Sequence, residues 1–239
     1  MRGAAIVTGA AGGIGKAICR RLGEDGFHVV AVDLVAELDS VVADLEADGL
    51  AATPVVADLI SVDGRALVAD SVAGTGLPLT ALINNAGITR DARLVNLSED
   101  DFAAVIEVNL AAPYELSRML VPTMAAGSIV NISSRSYLGS FGQFNYAMSK
   151  GGLVGLTRAL ALQAAPAVRV NAVAPGLIAT EMSMAIPEEQ LSKMIGSIPL
   201  GRMGDPSEVA DLVGFLCSEK SSYLTGEVIV IGGGRSLAQ

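Results

Sequence analysis

Short runs of apolar and β-branched residues alternate with longer amphipathic stretches along the whole chain. No other feature constrains the fold as strongly. The runs Ala4–Thr8, Val29–Asp33, Thr53–Ala57, Ala81–Asn84, Ser128–Ser133, Val168–Ala174 and Glu227–Ile231 read as strands. They are continuously apolar rather than alternating, as strands are when both faces of their sheet are covered. Between them, helical patterns cover Gly15–Asp25, Ala36–Asp48, Val62–Ala73, Glu99–Thr123, Tyr146–Ala164 and Pro206–Cys217, with an extra short helix at Pro187–Ile195. This rhythm implies right-handed crossovers and an α/β fold: a doubly wound parallel sheet of about seven strands with helices on both faces. No linker, low-complexity tract or shift in composition divides the 239 residues, so a single domain over 1–239 is expected.

Composition narrows the function from the other side. The chain is 51% hydrophobic and 17% charged, enough for a large core. A net charge of −9 argues against nucleic acid, whose backbone needs clustered Lys and Arg, and against an anionic membrane surface. No uncharged run reaches the ~20 apolar residues of a membrane span. The Gly/Ala-rich start after Met1-Arg2 superficially resembles a leader, but reads better as the first strand and its turn. Cys19 and Cys217 form neither a CxxC site nor a disulfide framework, which fits a reducing cytoplasm. His28, the single histidine, reads as the start of a strand, which argues against a Ser-His-Asp triad and a His-based metal site, and no metal is expected.

Thr8-Gly-Ala-Ala-Gly-Gly-Ile-Gly15 follows a strand and opens a helix. Glycines 9, 13 and 15 permit a tight turn, close approach of a pyrophosphate and tight helix–strand packing, while the helix N-terminus offers free N–H groups to phosphates. That places the sheet in the Rossmann type. Asp33 ends the second strand about 20 residues further on, where a carboxylate accepts both ribose hydroxyls and repels a 2′-phosphate. Leu34 follows it, and no Lys or Arg precedes Gly13 in the loop, so NAD is expected rather than NADP. Asp58 can accept from the adenine amino group or cap the helix beginning near Ser61. Asn84-Asn85-Ala86-Gly87 ends the fourth strand, Asn109 sits inside a helix despite poor propensity, and Ser133 and Ser134 end the fifth strand.

Tyr146 and Lys150 stand one helical turn apart and project from one face. A free tyrosine, with a pKa near 10, is a poor base. Lowering it to about 7 takes about 4 kcal/mol, which a lysine and a cationic cofactor ring can supply together.

Taken in order, TGxxxGIG at Thr8–Gly15, NNAG at Asn84–Gly87, Asn109, a serine before the YxxxK pair of Tyr146 and Lys150, and Pro175-Gly-Leu-Ile-Ala-Thr180 resemble the short-chain dehydrogenase/reductase family, in its standard-length single-domain branch. The likeness covers nearly all of the chain. It implies that Tyr146 is the general acid in ketone reduction and the base in alcohol oxidation. Lys150 lowers its pKa and holds the nicotinamide ribose, a serine hydrogen-bonds the substrate oxygen, and Asn109 keeps a helix kinked and anchors a water of the proton relay. Gly9, Gly13, Ile14, Gly15, Asp33, Asp58, Leu59, Asn85, Ala86, Gly87, Tyr146, Lys150, Pro175, Gly176, Ile178 and Thr180 would line the NAD site. The family's usual spacing, thirteen residues before the Tyr, selects Ser133; the commoner reading of an NISS string selects Ser134. Arg135 stands where a small residue is typical, and Ile231 replaces an acidic or amide residue before paired glycines.

Asn85-Ala-Gly-Ile-Thr-Arg-Asp91 and Ile198-Pro-Leu-Gly-Arg202 look most like 3-oxoacyl-thioester reductases of that family. Members serving acyl carrier protein generally use NADPH and carry basic residues near the site mouth, in the links before strands five and six. Here those links, Met124–Gly127 and Ala165–Ala167, have none. The resemblance therefore implies an NAD-dependent dehydrogenase of a 3-hydroxyacyl or similar small secondary alcohol, with a cyclic-alcohol, diol or sugar dehydrogenase as the alternative and a non-catalytic NAD-binding regulator as a third reading. A homotetramer is implied, through the last strand and the helices at Glu99–Thr123 and Tyr146–Ala164. The apolar segment Met182–Ser197, with Met182, Met184 and Met194, suits a substrate lid.

Overall fold

The computed structural model describes residues 1–237. Seven strands form one sheet: β1 (Ala4–Thr8), β2 (His28–Asp33), β3 (Ala52–Val56), β4 (Leu79–Asn84), β5 (Gly127–Ile132), β6 (Val168–Pro175) and β7 (Val228–Ile231). Their order is β3-β2-β1-β4-β5-β6-β7 and every pairing is parallel. The order reverses between β1 and β4, so the carboxyl ends of these two strands open the crevice in which such sheets bind ligands.

Alternate residues of each strand feed two separate cores. Ala5 and Val7 of β1, with Val29 and Ala31 of β2, pack beneath α1 (Gly13–Glu24), α2 (Leu38–Ala47) and a late helix over Pro206–Leu216. Ala4, Ile6, Val30 and Val32 face the other way, onto α3 (Val62–Gly74) and onto helices at Ala112–Leu120 and Phe144–Ala164. A strand buried on both faces has no polar side to show, which explains the unbroken apolar runs. β3 pairs only with β2 and so lies at an edge; there Pro54 costs no interior ladder bond.

The expected Glu99–Thr123 helix is not continuous. It divides into α4 (Glu99–Ile106), a π-helical turn (Glu107–Ala111), α5 (Ala112–Leu120) and a 3₁₀ turn (Val121–Thr123). Pro113, which has no N–H, cannot donate to the carbonyl four residues back, and the side chain of Asn109 is engaged outside the helix. Next come α6 (Phe144–Ala164), α7 (Glu181–Met184), α8 (Glu188–Gly196) and α9 (Pro206–Leu216). The segment expected as a lid carries α7 and α8, with Met182 and Met184 exposed. No helix among the described residues is long and apolar enough to cross a membrane.

A polar chain crosses the second core. Asn84 Nδ2 donates to Asn131 Oδ1 (2.8 Å) and to Ser117 Oγ (3.2 Å), and Asn131 Nδ2 donates to Thr157 Oγ1 (2.8 Å). Asn131 is fully buried, so Asn131→Ala leaves two buried groups without their partner. A loss of about 1–3 kcal/mol is expected, read as a lower urea midpoint at unchanged m-value and fixed protein concentration.

Candidate active site

Because all strands run parallel, their carboxyl ends share one edge, and the polar motifs gather there. The glycine loop leaves β1 with Gly9 at φ 66°, and a Cβ on Gly9 would stand 2.8 Å from Ala86 Cα. A Cβ on Gly15 would collide with the Gly9 carbonyl. The N-cap of α1 is Gly12, with no side-chain cap, so the first-turn N–H groups stay available to a phosphate. The Thr8 hydroxyl locks this loop to the end of β4: it donates to the Ile83 carbonyl (3.2 Å) and accepts from Asn85 N (2.9 Å) and Ala86 N (3.0 Å). Asn85 Nδ2 donates to the Thr8 and Gly9 carbonyls (2.9 and 3.1 Å), so its amide shapes the loop.

Asp33 is tied to the same loop. One carboxylate oxygen accepts from Ala11 N (2.9 Å) and the other from Leu34 N (2.7 Å); each keeps a further acceptor site. Asp58 does not cap α3. Ser61 does, accepting from Gly64 N, while Asp58 Oδ1 accepts from Ile60 N (2.9 Å) beside Leu59. On the far wall, a Cβ on Gly13 would lie 3.2 Å from Thr180 Cγ2, so the loop and the exit of β6 touch. Thr180 forms a capping box with Ser183 at the start of α7; Ile178 is buried, and Gly176 N donates to the Ile231 carbonyl (2.8 Å) just after Pro175. The fold thus brings Gly13, Ile14, Gly15, Asp33, Gly87 and Thr180 around one crevice.

Tyr146 and Lys150 lie in the first turns of α6. Lys150 Nζ is buried, donates to the Ile132 carbonyl (2.8 Å) and stands 5.7 Å from the Tyr146 ring centroid. Burial pushes the Lys150 ammonium down to about 8. Burial also raises the Tyr146 phenol above its usual 10; hydrogen bonding with Ser134 works against that rise, and the Asp91 charge adds to it. The expectation that Lys150 draws the phenol down is therefore not met by the chain alone. Burial dominates the phenol, so a lowered pKa requires positive charge brought close to the ring.

The fold separates the two serines that the sequence leaves open. Ser133 is buried at the end of β5, and its hydroxyl donates to the Lys150 carbonyl (2.9 Å), away from the phenol. Ser134 is the serine whose side chain holds the phenol of Tyr146 down against its rise; its hydroxyl accepts from Ser136 N (3.1 Å) and caps the 3₁₀ turn Arg135–Leu138. Alternation along the strand explains the separation, since successive side chains point to opposite faces. Asn109 Oδ1 accepts from Ile88 N (2.8 Å), and its Nδ2 donates to the Ile88 carbonyl (3.0 Å) and Ser149 Oγ (3.1 Å). It staples the π turn to the segment after Gly87, whose own Cβ would meet Asn109 Oδ1 and Lys150 Nζ.

Asn145 was not singled out by the sequence. Fully buried, it accepts from Tyr146 N (2.8 Å) and donates to the Arg90 (3.1 Å) and Asp101 (3.3 Å) carbonyls, anchoring the start of α6. An amide in a first helical turn beside the tyrosine was the available signal. The Ile132 carbonyl, a backbone group, left none. The links Met124–Gly127 and Ala165–Ala167 precede β5 and β6, so they lie at the amino edge of a parallel sheet, opposite the site. Their lack of basic residues does not describe the site mouth.

Residues 9–236 match the family described as enoyl-(acyl carrier protein) reductase. The chain is 45% identical over 237 residues to a 3-oxoacyl-[acyl-carrier-protein] reductase of Thermotoga maritima, covering 96% of each. It is 40% identical over 245 residues to the (3R)-3-hydroxyacyl-CoA dehydrogenase of Canis lupus familiaris, covering 96% of this chain and 95% of the dog protein. A crystal structure from Beutenbergia cavernae, described as a candidate NAD(P) dependent gluconate 5-dehydrogenase with NADP bound at low occupancy, superposes with a TM-score of 0.92 at 36% identity, covering 98% and 96%. A seven-stranded parallel sheet, a glycine loop clamped to NNAG, a half-buried tyrosine over a buried lysine and matches over almost the full length agree: this chain is an oxidoreductase of the short-chain dehydrogenase/reductase family.

Proposed function

We propose that the chain interconverts a secondary alcohol and a ketone with NAD(H), and that its substrate is a 3-hydroxyacyl or 3-oxoacyl compound. The observation that carries this reading is the meeting of Ser134, Tyr146 and Lys150 at the carboxyl edge beside the glycine loop. The Thermotoga reductase and the dog dehydrogenase act by name on such acyl compounds, which supports the substrate class. A sugar-acid or diol substrate is the second reading, favoured by the likeness to the gluconate 5-dehydrogenase.

The residues fit a dinucleotide. Gly9 and Gly15 let the loop fold tightly on itself and on Ala86, where a Cβ would strike backbone; the N-terminus of α1 is uncapped, and Asp33 retains acceptor capacity for ribose hydroxyls. The bound cofactor supplies hydride transfer and a positive nicotinamide ring. Tyr146 Oη gives its proton to the carbonyl oxygen in reduction and takes it back in oxidation. The Ser134 hydroxyl holds that oxygen. Lys150, fixed by the Ile132 carbonyl, keeps its ammonium close to the phenol and the nicotinamide ribose. Asn109 acts through position, holding the Ile88 segment and the Gly87 turn against Lys150. The Beutenbergia structure carries NADP; Asp33, with exposed Leu34 after it, supports NAD for this chain. We also propose a homotetramer, supported by the unpaired edge of β7 and by Tyr114, Met148 and Leu162, apolar side chains exposed on α5 and α6.

Tyr146→Phe is expected to lower kcat at least about 100-fold while NADH binding, followed by fluorescence titration, is retained; unchanged turnover would refute the assignment. Ser134→Ala is expected to cost about 100-fold in kcat/KM. Ser133→Ala should cost less than about tenfold but lower stability by about 1 kcal/mol, and the reverse order would restore Ser133 to the catalytic role. With NADH and NADPH run in parallel on acetoacetyl-CoA, NADH is expected to be preferred. Asp33→Asn should raise the KM for NADH about tenfold and narrow the preference; a wild type that prefers NADPH would overturn the reading of Asp33.

A further inference from the structure

Two arginines flank the carboxyl end of β6. Arg135 follows Ser134 directly, and the strand leading to it is pinned to β6 by Ser133 N donating to the Val173 carbonyl (2.8 Å). Arg235 ends the turn after β7, and that turn presses on the other side of β6, where a Cβ on Gly176 would stand 2.8 Å from Gly232 Cα. Gly233 and Gly234, at φ 60° and 86°, fold the turn back, and Arg235 N donates to the Gly232 carbonyl (3.1 Å).

Neither guanidinium has an acidic partner among the described residues, although the chain carries 25 acidic residues. The Nε of Arg135 is buried without any hydrogen-bond partner among them. Arg20, Arg21, Arg90, Arg118 and Arg202 pair with carboxylates, and Arg169 donates to three carbonyls and to Ser221; Arg2, Arg93 and Arg158 lack an acidic partner too among the described residues, but none of them has a buried donor left without a hydrogen bond. Both residues are half-buried. They also feel each other: burial, and then the Arg135 charge, pull Arg235 below its usual value. Two like charges that border one strand end, one of them with a donor unspent, leave hydrogen-bonding capacity that an anion can take up.

We propose that Arg135 and Arg235 form an anion subsite of the active site, which binds a carboxylate carried by the substrate itself. The proposal rests on the oxidoreductase reading above and narrows its substrate class to oxo or hydroxy compounds with an acidic group. Reach selects which anion. Arg135 opens the 3₁₀ turn, outside the alternation of the strand, and its Cα lies about 3.8 Å from that of Ser134, so its side chain reaches an anion carried several bonds from the oxygen held by Ser134. The phosphates of a coenzyme A thioester, at the far end of its pantetheine arm, are too distant from the carbonyl. A carboxylate two to four carbons from the ketone fits.

The test compares NADH-dependent reduction of acetoacetate, 4-oxopentanoate and 5-oxohexanoate with reduction of their methyl esters, beside acetoacetyl-CoA. For at least one chain length the acid is expected to exceed its ester at least about tenfold in kcat/KM, mainly through KM. Arg135→Gln and Arg235→Gln should each bring the acid/ester ratio close to one. Arg235→Lys should restore part of it, and Arg158→Gln, on the exposed face of α6, should leave it unchanged. As a readout without turnover, millimolar pentanoate should raise the Tm of wild type and not of the two Gln variants, and inorganic phosphate should do so less. Esters and thioester reduced as well as acids would remove the subsite and leave the oxidoreductase reading standing. Silence on every carbonyl, with pentanoate still stabilising through both arginines, would remove the acyl reading and leave the subsite. Gln variants that melt lower or change oligomeric state, at an unaltered acid/ester ratio and with pentanoate still stabilising them, would make the pair structural and overturn the proposal.

Discussion

A parallel sheet covered on both faces leaves almost no place for polar chemistry except its ends. In this chain β1 is buried throughout, with Ala4 and Ile6 turned to one core and Ala5 and Val7 to the other. Polar side chains on such strands must be satisfied internally, as Asn131 is across the second core by Asn84 and by Thr157 of α6; Asn84 Oδ1 is left without a partner among the described residues. The remaining chemistry is displaced to the carboxyl edge, where strands stop and backbone turns free their N–H groups. Every functional candidate described above depends on that restriction.

The edge is organised by small polar residues that act on backbone rather than on ligand. Thr8 joins the exit of β1 to that of β4, Asn85 returns two bonds to the glycine loop, and Asp33 holds Ala11 from the side. Asn109 and Asn145 do the same for the π turn and for the start of α6. These contacts place Lys150, and Lys150 has no hydrogen-bond acceptor but the carbonyl of Ile132. Its pKa near 8 follows from burial, as does the raised phenol of Tyr146. Both shifts are destabilising for the charged forms. A positively charged ligand ring next to the phenol would reverse the sign for tyrosinate, so the pair is tuned for action with a partner rather than alone.

Departures from the usual pattern of the family cluster on one side of this edge. Arg135 replaces a small residue beside Ser134, and Ile231 stands where a polar residue is usual; Arg235 sits in the glycine turn after β7. All three border the exit of β6, separated by three strands from β2, which carries Asp33. The glycine loop and the NNAG turn keep the family's motifs.

The sequence by itself determined the layer architecture, the seven strands and the positions of the glycine loop, NNAG, Tyr146 and Lys150, because local periodicity and turn chemistry encode them. It did not determine the break at Glu107–Ala111, which arises when the Asn109 side chain bonds a segment twenty residues away instead of leaving the helix regular. Nor did it settle the serine: counting to Tyr146 selects Ser133, while the pleat at the end of β5 turns Ser133 to Lys150 and Ser134 to the phenol. The meeting of Arg135 with Arg235 was equally unreadable, since they are 100 positions apart and are joined only by the order β5-β6-β7. Spacing along a chain fixes which residues share an element; which side chains share a site depends on strand order and pleat, and these exist only in three dimensions.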